Sequence, residues 1–171
     1  MTKLSLYLAS LLLGTNFSAS TPPVQTATTQ TQIVQVTEIE QQFIDLTNEE
    51  RWNQDLGVLS VNPLLVQIAR EHSKEMAEKN YFDHYSPTPG LKTPMDRYLS
   101  GYGKRPTWAY VGENLFYCSI VDVQRGHRAL MQSPKHRDNI LNPRYEQMGV
   151  GVYIGKDGRF WVTQMFLSQI D

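Results

Sequence analysis

The stretch MGVGVYIGKDGRFWVTQMFL, residues 148–167, decides the fold. Met148 to Ile154 alternates around glycines, and Lys156-Asp157-Gly158 has the composition of a tight turn. Arg159 to Leu167 then carries Phe160, Trp161, Val162, Met165 and Phe166 as a return strand, so the segment reads as a β-hairpin. Another strand is expected at Trp108 to Val111, ahead of Gly112.

Working outward toward the N-terminus, the pattern turns helical. One helix is expected from about Glu38 to Asn53, with Ile39, Phe43, Leu46 and Glu50 on one face and Trp52 near its end. A second starts at Asn62-Pro63, a cap followed by a proline whose missing N–H costs nothing there. Leu65, Ile68, Ala69, His72 and Met76 recur along it, and Asn80 stands at its end. Thr93-Pro94 opens a short helix with Met95, Tyr98 and Leu99. Val121 to Gln132 forms another, with Val123, His127, Leu130 and Met131 inward. Ser133-Pro134 reads as a fresh cap starting a turn that holds His136. Helices followed by a small antiparallel sheet make an α+β domain layered helix, sheet, helix.

The chain has 171 residues, enough for one domain with one core. Its formal charge is −1, from 16 Lys+Arg and 17 Asp+Glu, so no global field attracts nucleic acid or an anionic membrane. Lys135-His136-Arg137 with Arg144 is too small a cluster to change that. Residues 1–20 read as a secretory signal peptide: Lys3, an apolar run from Leu4 to Leu13, then Ser18, Ala19 and Ser20. The run has roughly half of the ~20 residues needed to span a bilayer. No Cys follows it to take a lipid. Residues 21–37, rich in Thr, Gln and Pro, read as a flexible linker to a domain at 38–171. Export of a protein without a transmembrane segment is therefore expected, extracellular or periplasmic. Cys118 is the sole cysteine, so no internal disulfide can form, and its apolar setting predicts a buried, inert thiol.

Three short signatures carry chemistry: Asp83-His84, Gly112-Glu113-Asn114, and Ser133 to Leu141, which contains His136. All three are expected where the chain leaves a regular element. Only the fold can join groups so distant in sequence. If it does, three readings are open. His84, His136 and Glu113 would suit Zn²⁺ or another divalent cation, with a fourth position for water. Glu113 would instead orient one imidazole from behind. Without metal, a carboxylate-oriented His would act as a base on water. His72, on the apolar stripe of the second helix, and His127, inside a helix, read as structural. Ser133 is explained as a cap, and no G-x-S-x-G elbow, H-E-x-x-H, paired C-x-x-C, P-loop or G-x-G-x-x-G occurs.

Taken in order, these signatures resemble the CAP superfamily of cysteine-rich secretory, antigen 5 and pathogenesis-related proteins, in its bacterial form. The resemblance runs from about Phe43 to Phe166. It includes Leu46-Thr47-Asn48-Glu49-Glu50-Arg51, Ala69 to Ala77, Tyr81 to His84, Val111 to Leu115, Ser133 to Leu141 and Met148 to Val152. It implies an α-β-α sandwich, secretion, and a cleft of up to two His and two acidic residues that binds a divalent cation in some members. His84, Glu113 and His136 are the matching positions. The second acidic position has no counterpart, Ser133 or Gln132 standing nearest, and Leu130 stands where a Trp is common. The cysteines of animal and plant members are missing. The leading expectation is a binding module whose cleft takes a small ligand, lipid or cell-envelope component. The alternatives are a metal- or His-assisted hydrolase of peptide or envelope polymer, and a structural domain whose site residues tie loops together.

Overall fold

The computed structural model describes residues 35–171. The expected signal peptide, and the expected linker up to residue 34, lie outside the described residues. Helix α1 spans Glu38–Trp52 and is capped one residue earlier, by Thr37. The Thr37 N–H donates to the Glu40 carboxylate at 2.8 Å, while the Glu40 N–H donates back to the Thr37 hydroxyl at 3.3 Å. Two otherwise unpaired backbone donors are satisfied reciprocally.

The buried face of α1 differs from the expected one. Glu40, Phe43, Ile44, Thr47 and Arg51 are inside, whereas Trp52 is 73% exposed. Hydrophobic periodicity misses this because three of the five are polar, and each is buried against a specific partner. Glu40 accepts from the Arg70 side chain and from the Val152 N–H. Arg51 donates to the carbonyls of Gly57, Ile140 and Asn142 at 2.7–2.9 Å, fastening α1 to the chain that leaves the site region.

Helix α2, Pro63–Lys79, matches its prediction: Asn62 caps it and Leu65, Ile68, Ala69, His72 and Met76 are buried. Asn80 ends it in the left-handed conformation. Helix α3 is Pro94–Tyr102, with a capping box between Thr93 and Asp96. Helix α4 is Val123–Gln132, capped by Asp122, and α5 is Pro134–Ile140. Ser133 occupies the N-cap position of α5 but its hydroxyl makes no capping bond; its N–H instead donates back to carbonyls of α4.

The strands are β1 (Ser60–Val61), β2 (Trp108–Cys118), β3 (Gln147–Ile154) and β4 (Phe160–Ile170), in the order β1-β3-β4-β2. β2 and β3 pair antiparallel with β4, but β1 pairs parallel with β3. The sheet is thus mixed, not wholly antiparallel as expected, because a two-residue strand shows no periodicity to read. Helices α2 and α3 pack on one face and α1, α4 and α5 on the other. The α2 backbone lies so close to β3 that a Cβ on Gly151 would stand 2.0 Å from the Arg70 nitrogen. On β2, Ala109, Val111 and Leu115 pack with the α2/α3 layer, while Tyr110 and Phe116 pack with the other. Alternation therefore turns Glu113 toward α2 and α3, and Asn114 toward α5.

Candidate functional site

Glu113 lies in the middle of β2, not at the end of an element as expected, because the strand runs seven residues further than the predicted Val111, to Cys118. It is buried, 5% exposed. A lone carboxylate there would carry a heavy desolvation cost, so its partners define the site. The Arg97 guanidinium of α3 donates to Oε2 at 2.5 Å, and His84 Nδ1 stands 2.8 Å from Oε1. An ionised carboxylate can only accept, so Nδ1 of His84 is the donor of this hydrogen bond and Nε2 is the ring nitrogen it leaves uncommitted. Side-chain exposure of His84 is 46%, so this imidazole joins a buried pair to the surface.

Two buried residues fix the loop that carries His84. Arg97 also donates to the carbonyls of His84 and Leu91, both at 3.2 Å. His72, from α2, donates from Nε2 to the Asp83 carbonyl at 3.1 Å, and the same nitrogen lies 4.0 Å from Glu113. Burial lowers the His72 pKa; Glu113 opposes that and Arg97 reinforces it. Beside it, the Glu75 carboxyl is pushed up by burial, but hydrogen bonds from Lys79, Thr88 and Tyr81 outweigh this and hold it at about 2. The structural reading of His72 is thus what the geometry shows.

His136 reaches the site from the opposite layer. Asn114 donates to the His136 carbonyl at 3.0 Å and to the Gln164 side chain at 3.1 Å. Asn139 donates to both the Glu113 carbonyl and the Asn114 side chain, at 3.0 and 2.9 Å. α5 is thereby latched to β2 through the Glu113 carbonyl and the Asn114 side chain. Gly112 leaves room for the Tyr145 ring, since a Cβ there would meet its hydroxyl at 2.0 Å. Half-buried, His136 has its pKa lowered first by burial and then by the neighbouring His84.

Both Glu113 oxygens are engaged, and among the described residues no three His, Cys, Asp or Glu side chains form a metal-holding group. Glu113 stands behind His84 as its hydrogen-bond partner. His127 is buried at the α1–α4 contact, 3.6 Å from Glu50, and neither ring nitrogen has a hydrogen-bond partner among the described residues. Cys118 is buried. A separate cleft of about 320 Å³ between α2 and α3 is lined by Leu64, Ile68, Glu71, His72 and Arg97, and none of His84, Glu113 and His136 borders it. Arg97 and Asn139 escaped the sequence reading of the site. Asn139 lay inside a quoted signature, whereas Arg97 looked like any basic residue of a short amphipathic helix.

Three helices, a mixed sheet and two further helices, with a His–Glu–Arg cluster where a helix, a loop and a strand meet, define a small α-β-α sandwich. The model of the cysteine-rich secretory protein family, CAP, matches residues 44–166, and the chain belongs to that family. It is 37% identical over 145 residues to the uncharacterized protein YkwD of Bacillus subtilis, covering 85% of this chain and 53% of YkwD. Among solved structures, an extracellular SCP-domain protein of Bacillus anthracis aligns at 32% identity and a TM-score of 0.63, over 77% of this chain and 40% of the other. An outer surface protein of Borrelia burgdorferi shares the fold at 18% identity and a TM-score of 0.68, over 80% of this chain and 96% of the other. The chain thus spans about half of YkwD and less than half of the Bacillus anthracis chain. No helix among the described residues is long and apolar enough to cross a membrane.

Proposed function

We propose that this is an exported ligand-binding module in which His84 and His136 present imidazole nitrogens to a weakly held divalent cation, Zn²⁺ by preference, or to an acidic group of a small envelope ligand. The observation that carries this reading is the double engagement of Glu113. Its charge is matched by Arg97 at 2.5 Å and its other oxygen holds His84 at 2.8 Å. A carboxylate so placed orients an imidazole and raises its basicity; it is not free to take a proton from water. When bound, the cation would supply a Lewis-acidic centre for a ligand oxygen. Export is supported by the leader-like pattern at residues 1–20 and by the extracellular and outer-surface descriptions of the structural neighbours.

Hydrolysis of peptide or envelope polymer is the second reading, favoured by one feature: the His84–Glu113 pair is also the geometry of an oriented general base. The two readings separate in an NMR titration of Zn²⁺ followed on the histidine ring resonances. The binding module predicts that the His84 and His136 rings shift together while His72 and His127 stay fixed. Turnover of a defined polymer that disappears in both His84→Ala and His136→Ala, with the fold intact, would replace it with the hydrolase.

A further inference from the structure

Tyr153, Trp161 and Tyr117 stand side by side on β3, β4 and β2, each the register partner of the next. The row lies on the α2 face, where Trp161 packs with Met76 and Leu115 near the end of that helix. Tyr117 and Trp161 have ring centroids 4.4 Å apart. Phe82, two residues before His84, closes over both at 6.0 and 6.2 Å, and the Arg159 guanidinium sits 5.7 Å from the Trp161 ring. Core packing explains Trp161, which is buried. It does not explain why Phe82 and Tyr117 remain 51% and 39% exposed while touching each other.

A recess of about 340 Å³ is bordered by Trp161 and Tyr153 and by Glu78, Lys156, Asp157 and Arg159. Asp157 pairs with Arg159, and Lys156 and Glu78 are opposite in sign, so the lining carries no net formal charge and offers an ion no net attraction. Planar carboxylate and guanidinium groups beside aromatic faces suit a ligand with C–H faces and hydroxyl edges. A lipid tail would waste the polar half, and an ionic ligand would find no excess of either sign. We infer that the exposed Phe82–Tyr117 shelf, backed by the buried Trp161, and the recess that Trp161 borders form a binding surface for pyranose units of an uncharged glycan, distinct from the His84 site and bordering the loop that carries it.

The test is calorimetric titration of the full-length protein with chitotetraose and, as the same ring without acetamido groups, cellotetraose. The proposal expects at least one of them to bind, with Tyr117→Ala and Phe82→Ala each weakening it about tenfold and Asp157→Asn weakening it several-fold. Both aromatic positions are exposed, so melting temperatures should stay within a few degrees of wild type, and Tyr117→Ala should leave Zn²⁺ binding unchanged. Binding of chitotetraose alone assigns an acetamido sugar. Binding of neither up to about 10 mM, binding indifferent to both aromatic variants, or capture of an aromatic tetrapeptide in place of either sugar overturns it. Because Zn²⁺ is read separately, failure here and failure of the metal reading are distinguishable.

Discussion

At the scale of single residues, Glu113 and Arg97 form one unit, each buried at 5% exposure and joined by an ion pair at 2.5 Å. Glu113→Gln removes the charge that pairs with a buried guanidinium, and urea denaturation should show a loss of about 3–5 kcal/mol. Adding Arg97→Met should cost less than the sum of the two single changes, since no charge is then stranded; additivity within about 0.5 kcal/mol would refute the pairing. Histidines set the acid response. Burial lowers the pKa of His72, His127 and His136, so the unfolded chain binds protons first as pH falls below about 6.5. Stability should be full above that pH and decline below it, by at most about 1.4 kcal/mol per histidine per pH unit. Glu75, held at about 2, adds a second loss only as pH falls from about 4.5 toward 2. Thermal melts at pH 8, 6.5 and 5.5 check the first window, and a melting temperature rising from 6.5 to 5.5 would contradict it. Of this cluster, His84 and Glu113 were legible because their residue types carry chemistry in any setting. Arg97 was not, since the partner of a buried charge is chosen by tertiary contact that no local pattern records.

At the scale of elements, what could be read was whatever local chemistry determines. The cap Asn62-Pro63 and the stripe Leu65 to Met76 gave α2 correctly, and Lys156-Asp157-Gly158 gave the turn, with Gly158 at φ +78°. β2 was read short because Gly112, Glu113 and Asn114 look unlike strand residues. Their strand is held by eleven register pairs with β4 and by side chains turned to two different layers. Asn114 is the hinge of that arrangement, tying α5 through the His136 carbonyl. Asn114→Ala should cost about 2–3 kcal/mol, because buried partners are left unpaired, and should accelerate amide exchange in α5 more than in α2. Equal acceleration in both helices would mean that the latch is not local. Gly151→Ala tests the helix–sheet contact in turn. Its Cβ meets α2 backbone that cannot rotate away, so a loss of about 3 kcal/mol is expected in the same denaturation assay.

At the scale of the whole molecule, the sandwich brings a loop after α2 and the first turns of α5 to the two faces of one strand residue pair. Glu113 looks into one helical layer, where it holds the His84 ring, and Asn114 into the other, where it holds the His136 backbone. The helix-then-hairpin order made the layers predictable, whereas the parallel β1 and the polar face of α1 followed only from contacts between distant segments. The central claim is that this convergence makes a cation site of His84 and His136 with Glu113 behind. It is tested most directly by calorimetric titration of Zn²⁺ into the full-length protein at pH 7.5, beside a His84→Ala/His136→Ala variant. The account predicts one weak binding event in the wild type, with a dissociation constant on the order of 1–100 μM, and none in the variant. No heat in the wild type, or the same heat in both proteins, would contradict it.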